Sequence, residues 1–236
     1  MKISVCMATY NGEKYIKEQI TSILSQLNDG DELIISDDKS SDRTQDIIFE
    51  FRDPRIKFVI NEGERGYTRN FENAIRHATG DVIFLSDQDD VWMENKVELM
   101  LKRLRDCDLV VSDAEIVDAN LETLFPSHFE LFKVKKGFWV NFCKTRYVGA
   151  CMAFKKELLK KALPFPKKQK YCAHDYWLTI VGEMYYKVEL ERTPLIKYRR
   201  HGNNASTGGM VSNNSFIKKV LVRAYCFVNL LLRSFK

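Results

Sequence analysis

Gly80-Asp81-Val82-Ile83-Phe84-Leu85-Ser86-Asp87-Gln88-Asp89-Asp90 is the stretch on which the reading of this chain turns. An apolar run, Val82 to Leu85, opened by Gly-Asp, reads as a short buried strand that ends in clustered carboxylates. Alternation along a strand puts Asp87 and Asp89 on one side, converging where the strand emerges. Carboxylates gathered in this way repel one another unless something positive sits between them. A hard divalent cation with oxygen ligands, magnesium or manganese, is the natural partner, and phosphates usually complete its shell. An acidic loop capping the helix after Trp92 is the plainer alternative. It accounts for one or two of the acids, but not for Asp87, Asp89 and Asp90 together beside a buried strand.

Working outward, the first hundred residues alternate strand and helix. Ile3 to Ala8, Glu32 to Ser36 and Ile56 to Ile60 are short apolar strands. Helical spacing is present over Glu13 to Leu27, from a Ser40 cap to Phe51, and over Tyr67 to Ala78. Short strands separated by helices of this kind imply βαβ units, a parallel sheet and right-handed crossovers. Such sheets bind ligands beyond the carboxyl ends of their strands. Three strand ends here are polar: Thr9-Tyr10-Asn11, Asp37-Asp38 and Asp87-Gln88-Asp89. After residue 105 the pattern loosens. Strands are expected at Asp108 to Ser112, Tyr147 to Phe154, Lys187 to Glu191 and Leu195 to Tyr198. A helix is expected from Lys155, then a basic loop Lys160 to Lys170, a helix His174 to Tyr185 and a Gly/Asn/Ser-rich loop Gly202 to Asn214.

The chain has 236 residues, 45% hydrophobic and 29% charged, which is the composition of a soluble globular protein. A net charge of +5 suits an anionic substrate or an acidic membrane surface and is too small to argue for nucleic acid. Its six cysteines form no C-x-x-C pair and read as reduced core thiols of a cytoplasmic protein. Met1-Lys2-Ile3-Ser4-Val5 enters a strand at once and lacks the apolar region of a signal peptide. Val220 to Leu232 is too short to span a bilayer and holds Arg223 and Asn229.

Taken in order, Thr9-Tyr10-Asn11, Asp37-Asp38-Lys39-Ser40-Ser41-Asp42, Asn61-x-Gly63, Arg69-Asn70 and Ser86-Asp87-Gln88-Asp89-Asp90 resemble the amino-terminal half of inverting family 2 glycosyltransferases. The resemblance covers residues 3–105 strongly and reaches to about 205 more loosely. Gly149-Ala150-Cys151, His174-Asp175-Tyr176-Trp177 and Tyr198-Arg199-Arg200-His201-Gly202-Asn203-Asn204 are similar to the bacterial rhamnosyltransferase-like branch, which builds surface polysaccharides. The fold implied is GT-A: α/β, with a Rossmann-like, mostly parallel central sheet flanked by helices and a mixed carboxyl-terminal acceptor region. Residues 1–214 then form one glycosyltransferase domain, with 1–105 the nucleotide-sugar half and 106–214 the acceptor half.

The implied activity is inverting, metal-dependent transfer of a sugar from a nucleotide diphosphate-sugar (UDP- or dTDP-linked) to a saccharide or lipid-linked acceptor, a hexosyltransferase reaction. The resemblance implies roles for individual residues. Asp89 is a metal ligand, and Asp87 meets the metal through water or contacts the donor ribose. His201 completes the metal shell or touches phosphate. Ala8, Thr9, Tyr10, Asp38, Gln88 and Gly66 form the nucleotide pocket, with Asp37 competing with Asp38 for the base. Arg65 and Arg69 reach base or phosphate, and Arg199 and Arg200 add charge near the pyrophosphate. Asp175 is the catalytic base, although the related pattern often has Glu where this chain has His174.

Several plainer readings remain open in the sequence. Asp37-Asp38 before Ser40 also reads as a capping turn, Asp175 as an N-cap, and Trp139 and Trp177 as core aromatics rather than sugar-stacking platforms. A nucleotidyltransferase pairs carboxylates with metal too, but Thr9-Tyr10-Asn11-Gly12-Glu13 is not a Gly-rich basic phosphate loop. A non-catalytic nucleotide-sugar-binding module is the third reading. No G-x-G-x-x-G follows the first strand, which disfavours a dinucleotide oxidoreductase. Finally, residues 215–236 read as a basic amphipathic helix, able to lie on the inner face of the cell membrane, to pack on its own domain or to meet a partner.

Overall fold

A computed structural model describes residues 1–202 and 215–234. The elements run in chain order β1 (Ile3–Thr9), α1 (Ile16–Leu24), β2 (Glu32–Asp37), α2 (Thr44–Glu50), β3 (Ile56–Ile60), α3 (Tyr67–Arg76), β4 (Val82–Asp87), β5 (Val91–Trp92) and α4 (Lys96–Leu104). They continue with β6 (Leu109–Val117), β7 (Thr123–Phe125), α5 (His128–Phe132), α6 (Phe138–Cys143), β8 (Met152–Lys155), α7 (Leu159–Ala162), α8 (His174–Tyr185), β9 (Val188–Arg199) and α9 (Phe216–Ser234).

One sheet holds these strands in the order β3-β2-β1-β4-β8-β6-β9-β5, with β7 beside β6. From β3 to β4 every pairing is parallel. β8 joins β4 and β6 antiparallel, and β6 and β9 are parallel to each other. The fold class is α/β, as the alternating pattern implied. β1, β2 and β4 are apolar on both faces because helices cover both sides, so Val5, Cys6, Ile34, Phe84 and Leu85 are fully buried. Register fixes the site: Thr9 pairs with Asp37, and Ala8 with Asp87, so three polar strand ends arrive at one level.

Local departures from the sequence reading have physical causes. Ser40 does not cap α2. Its hydroxyl and amide turn back onto Asp37, and Asp42 instead accepts from the Thr44 amide. The strand expected over 147–154 is a 3-10 turn at Gly149–Cys151 followed by the short β8, and the following helix is broken into a 3-10 turn and α7. The two strands expected over 187–198 are one, β9, irregular where Pro194 lacks an amide to donate. The expected loop 202–214 falls, from residue 203 onward, outside the described residues. Cys143 is exposed while the other five cysteines are buried, and all six are free thiols. No helix among the described residues is long and apolar enough to cross a membrane.

Candidate active site

A cleft of about 1370 Å³ opens over the carboxyl ends of β1, β2 and β4. At its floor, β1 runs out through Ala8 and Thr9 into Tyr10, whose side is about half exposed. The Gln88 side chain clamps that turn: the Tyr10 amide donates to Gln88 Oε1 at 2.9 Å, and Gln88 Nε2 donates to the Tyr10 carbonyl at 3.0 Å. Gly12 makes room for the clamp, since a Cβ there would lie 2.3 Å from Gln88 Oε1.

Asp37 and Asp38 separate into two roles. Asp37 is fully buried and accepts from the Ser40 amide (2.7 Å), Ser40 Oγ (2.6 Å), Thr9 Oγ1 (3.0 Å) and Gln45 Nε2 (3.1 Å). It braces the loop and does not line the cleft. Asp38 does line it, and accepts from Asn61 Nδ2 at 2.8 Å and from the Gly66 amide at 2.7 Å. Gly66 aims that amide with φ +123°, a backbone conformation open to glycine.

The expectation for Arg69 is not met by its geometry. Its guanidinium pairs with Glu72 and donates to the Pro166 and Lys167 carbonyls at 2.7 and 2.6 Å, away from the cleft. Successive helical residues diverge by about 100°, so when Asn70 faces the cleft its neighbour cannot. Asn70 does face it: Nδ2 donates to the Thr9 carbonyl at 3.0 Å and Oδ1 accepts from Ser36 Oγ at 2.6 Å. Arg65 lines the cleft.

Asp87 and Asp89 line the cleft, whereas Asp90 is buried behind it. Burial, and then the fields of Asp89 and Asp175, push the Asp87 carboxyl up to about 8. Burial also raises Asp90, whose Oδ1 accepts from the Arg199 amide at 2.9 Å. The strand end is held from below by Gln19, which donates to Ser86 Oγ (2.7 Å) and to the Asp87 carbonyl (3.1 Å). His201 reaches the cleft from the far end of β9, with Nε2 2.8 Å from Asp89 Oδ2 and its ring stacked on Tyr15 at 4.8 Å. Arg199 works from behind: it is 3% exposed, donates to the Asp89 carbonyl at 2.7 Å and to the Ala119 carbonyl at 2.8 Å, and pairs with Glu18. Neither Arg199 nor Arg200 is among the described residues that line the cleft.

Across the cleft, Asp175 stands in the first turn of α8, where its Oδ1 accepts from the Tyr176 amide at 2.6 Å. His174 is buried and stacks on Phe71 at 4.0 Å; burial pushes its imidazole down to about 4, a neutral ring. Trp177 is a core residue, fully buried with Nε1 donating to the Ala162 carbonyl at 2.8 Å. Trp139 is 68% exposed on α6. The sequence reading missed Tyr15 and a basic wall made by Lys144, Arg146, Lys219 and Arg223 on the cleft, and Gln19 bracing the end of β4 behind it. The i, i+4 spacing of Lys219 and Arg223 was its one sequence signal.

Among the described residues, no group of three or more His, Cys, Asp or Glu could hold a metal ion by itself. Asp89 and His201 offer one hard oxygen and one imidazole nitrogen within 2.8 Å. That donor set fits a cation that takes its remaining ligands from substrate phosphates and water, as magnesium does in phosphate sites.

A family model described as glycosyl transferase family 2 matches residues 4–163. An uncharacterized glycosyltransferase of Methanocaldococcus jannaschii is 32% identical over 207 residues, 84% of this chain and 70% of the relative. The dTDP-rhamnosyl transferase RfbG of Shigella flexneri is 32% identical over 234 residues, 92% of this chain and 79% of the relative. Among solved structures, S. aureus TarS in complex with UDP-GlcNAc matches with TM-score 0.75 at 19% identity, over 99% of this chain and 69% of that one. Mannosyltransferase PcManGT from Pyrobaculum calidifontis, in complex with GDP-Man and Mn2+, matches with TM-score 0.63 at 21% identity, over 99% of this chain and 64% of that one. The fold these likenesses share is GT-A.

Proposed function

The chain belongs to glycosyl transferase family 2 and is a glycosyltransferase, and from that premise we propose an inverting, cation-dependent transfer from a nucleotide diphosphate-sugar to a saccharide or lipid-linked acceptor. The observation that carries the proposal is the convergence in one cleft of Asp87, Asp89 and His201 on one side and Asp175 on the other. Residues 1–105 are the donor half: Ala8, Thr9, Tyr10 and Asp38 border the nucleotide, with Gln88 and Gly66 fixing the backbone around them. Arg65 supplies positive charge to the donor. Residues 106–214 are the acceptor half.

Asp89 and His201 would hold a manganese or magnesium ion, which when bound offsets charge on the diphosphate leaving group. Asp87, beside them, holds a second carboxyl toward the donor. Asp175 accepts the proton of the acceptor hydroxyl during a single displacement. Its Tyr176 hydrogen bond and its place in a helical turn fix the carboxylate direction before the acceptor arrives. Likeness to dTDP-rhamnosyl transferase RfbG supports rhamnosyl transfer in bacterial surface-polysaccharide synthesis. Likeness to the E. coli enzyme named UDP-Glc:alpha-D-GlcNAc-diphosphoundecaprenol beta-1,3-glucosyltransferase WfgD supports a lipid-linked acceptor.

Hydrolysis of a panel of nucleotide sugars, each with manganese and with magnesium, tests the donor and the cation together. Asp175→Asn tests the base: nucleotide binding by calorimetry should persist while turnover falls by on the order of 10²–10⁴-fold. Equal loss of binding and turnover would assign Asp175 to the donor instead.

A further inference from the structure

On α9, Ile217, Val220, Leu221, Val228, Leu231 and Leu232 are between 42% and 72% exposed. At about 100° per residue they share one face about 120° wide. The opposite face packs on the domain: Cys226 and Leu230 are fully buried, and Tyr185 Oη donates to the Leu230 carbonyl at 2.7 Å. A packing helix shows one apolar face; this helix shows two, and the second is covered by nothing among the described residues. Trp139 and Val140, 68% and 46% exposed, extend the outer patch through the Trp139–Phe142–Phe227 ring contacts. Lys218, about 100° from the centre of this outer face and exposed, and Arg223, about 120° from it on the other side, flank the face, and Arg223 lines the cleft with Lys144, Arg146 and Lys219 as a basic lip.

We propose that the outer face of α9 docks the protein on an anionic bilayer surface, setting this basic lip of the cleft at the headgroup plane, where a phosphate-linked lipid acceptor is presented. The proposal rests on the transferase reading and names the form of its acceptor. Apolar side chains with a flank of lysine and arginine lie in the interface of an anionic membrane, and exposed Trp favours the same boundary. The cations beside this apolar face complement an anionic surface, which an apolar protein partner would not offer. Over its described residues the helix is not long and apolar enough to cross a bilayer.

The test uses the full chain with vesicles of phosphatidylcholine alone and of phosphatidylcholine mixed with phosphatidylglycerol. Nucleotide binding by calorimetry is measured in parallel. Wild type should co-sediment with the anionic vesicles at low salt and lose them as salt rises. Val228→Asp with Leu232→Asp, away from the cleft, should lower that partition at least tenfold with nucleotide binding unchanged. Lys218→Ala should lower it about fivefold, the worth of one basic group near such a surface. Equal partition of the Asp double variant and wild type overturns the docking. So does wild type that binds nucleotide but neither vesicle, or that buries this face in a dimer instead. In each of those outcomes the transferase reading stands; a wild type that folds but binds no nucleotide overturns the reading itself.

Discussion

His201 Nε2 lies 2.8 Å from Asp89 Oδ2, although 112 positions separate the two residues. The approach is built by the sheet. β9 carries Arg199 to the end of β4, where its amide donates to Asp90 and its guanidinium to the Asp89 carbonyl. His201 then follows within two residues. Two chain segments thus meet at one point, one bringing carboxylate and the other imidazole.

We expect Asp89→Ala to keep its fold and to lose transfer by on the order of 10²-fold or more, the usual cost of removing one electrostatic stabiliser of the reacting charge. Transfer assays with and without chelator, alongside circular dichroism, check this. Near-native turnover by a folded Asp89→Ala, or activity insensitive to chelator, would sink the cation assignment.

The first hundred residues were legible because their parallel strands are buried on both faces and so appear as apolar runs with polar ends. Thr9, Asp38, Asp87 and Asp89 could therefore be placed from sequence. What sequence could not resolve was direction. Asp37 and Asp38 are adjacent acids, and only the Ser40 and Thr9 bonds reveal which one is spent on the loop. Arg69 and Asn70 differ by one helical step, and Glu72 claims the arginine. The stretch after residue 105 was less legible because it is short turns and irregular pairing: Gly149–Cys151 is apolar like a strand but coils as a 3-10 turn. Its basic wall joins residues some 75 positions apart, which no local pattern encodes.

Gln88 is expected to act through Tyr10. Its amide makes two hydrogen bonds with one backbone unit, each worth about 1 kcal/mol net at most in this half-exposed place. Gln88→Leu should weaken nucleotide binding about fivefold to tenfold and lower the melting temperature by only a few degrees. Unaltered affinity in a folded variant would show that the β1 turn holds itself.

At the amino end of β2, away from the cleft, Glu32 governs stability rather than chemistry. Burial alone would raise its carboxyl, but hydrogen bonds from Lys57, Ser4 and Thr79 outweigh that and hold it at about 2, against an ordinary 4.5. Because the folded value is depressed, the stabilisation is full above about 4.5 and fades as pH falls through 2. The half-exposed Lys57 screens part of it, which leaves about 2 kcal/mol. Urea unfolding of wild type and Glu32→Gln should differ by that amount at pH 7 and converge toward pH 2. A gap that is constant with pH would mean that shape, not charge, sets the cost.

Gly149 packs against the first turn of α8, which carries Asp175, the proposed base. A Cβ at this position would lie 2.7 Å from His174 Nε2 and 3.4 Å from Asp175 Cβ. The His174 ring cannot swing aside freely, because it is buried and stacked on Phe71. Gly149→Ala must therefore push the first turn of α8, and Asp175 with it. A displacement on the scale of 1 Å costs about 10²-fold in rate when reacting groups must be aligned. Nucleotide binding should be spared, since Tyr10 and Asp38 belong to other elements. Adding His174→Ala removes the clashing ring and should restore part of the lost kcat, which a general destabilisation would not do. Wild-type kcat in Gly149→Ala, or no recovery in the double variant, would show that the turn does not set the position of Asp175.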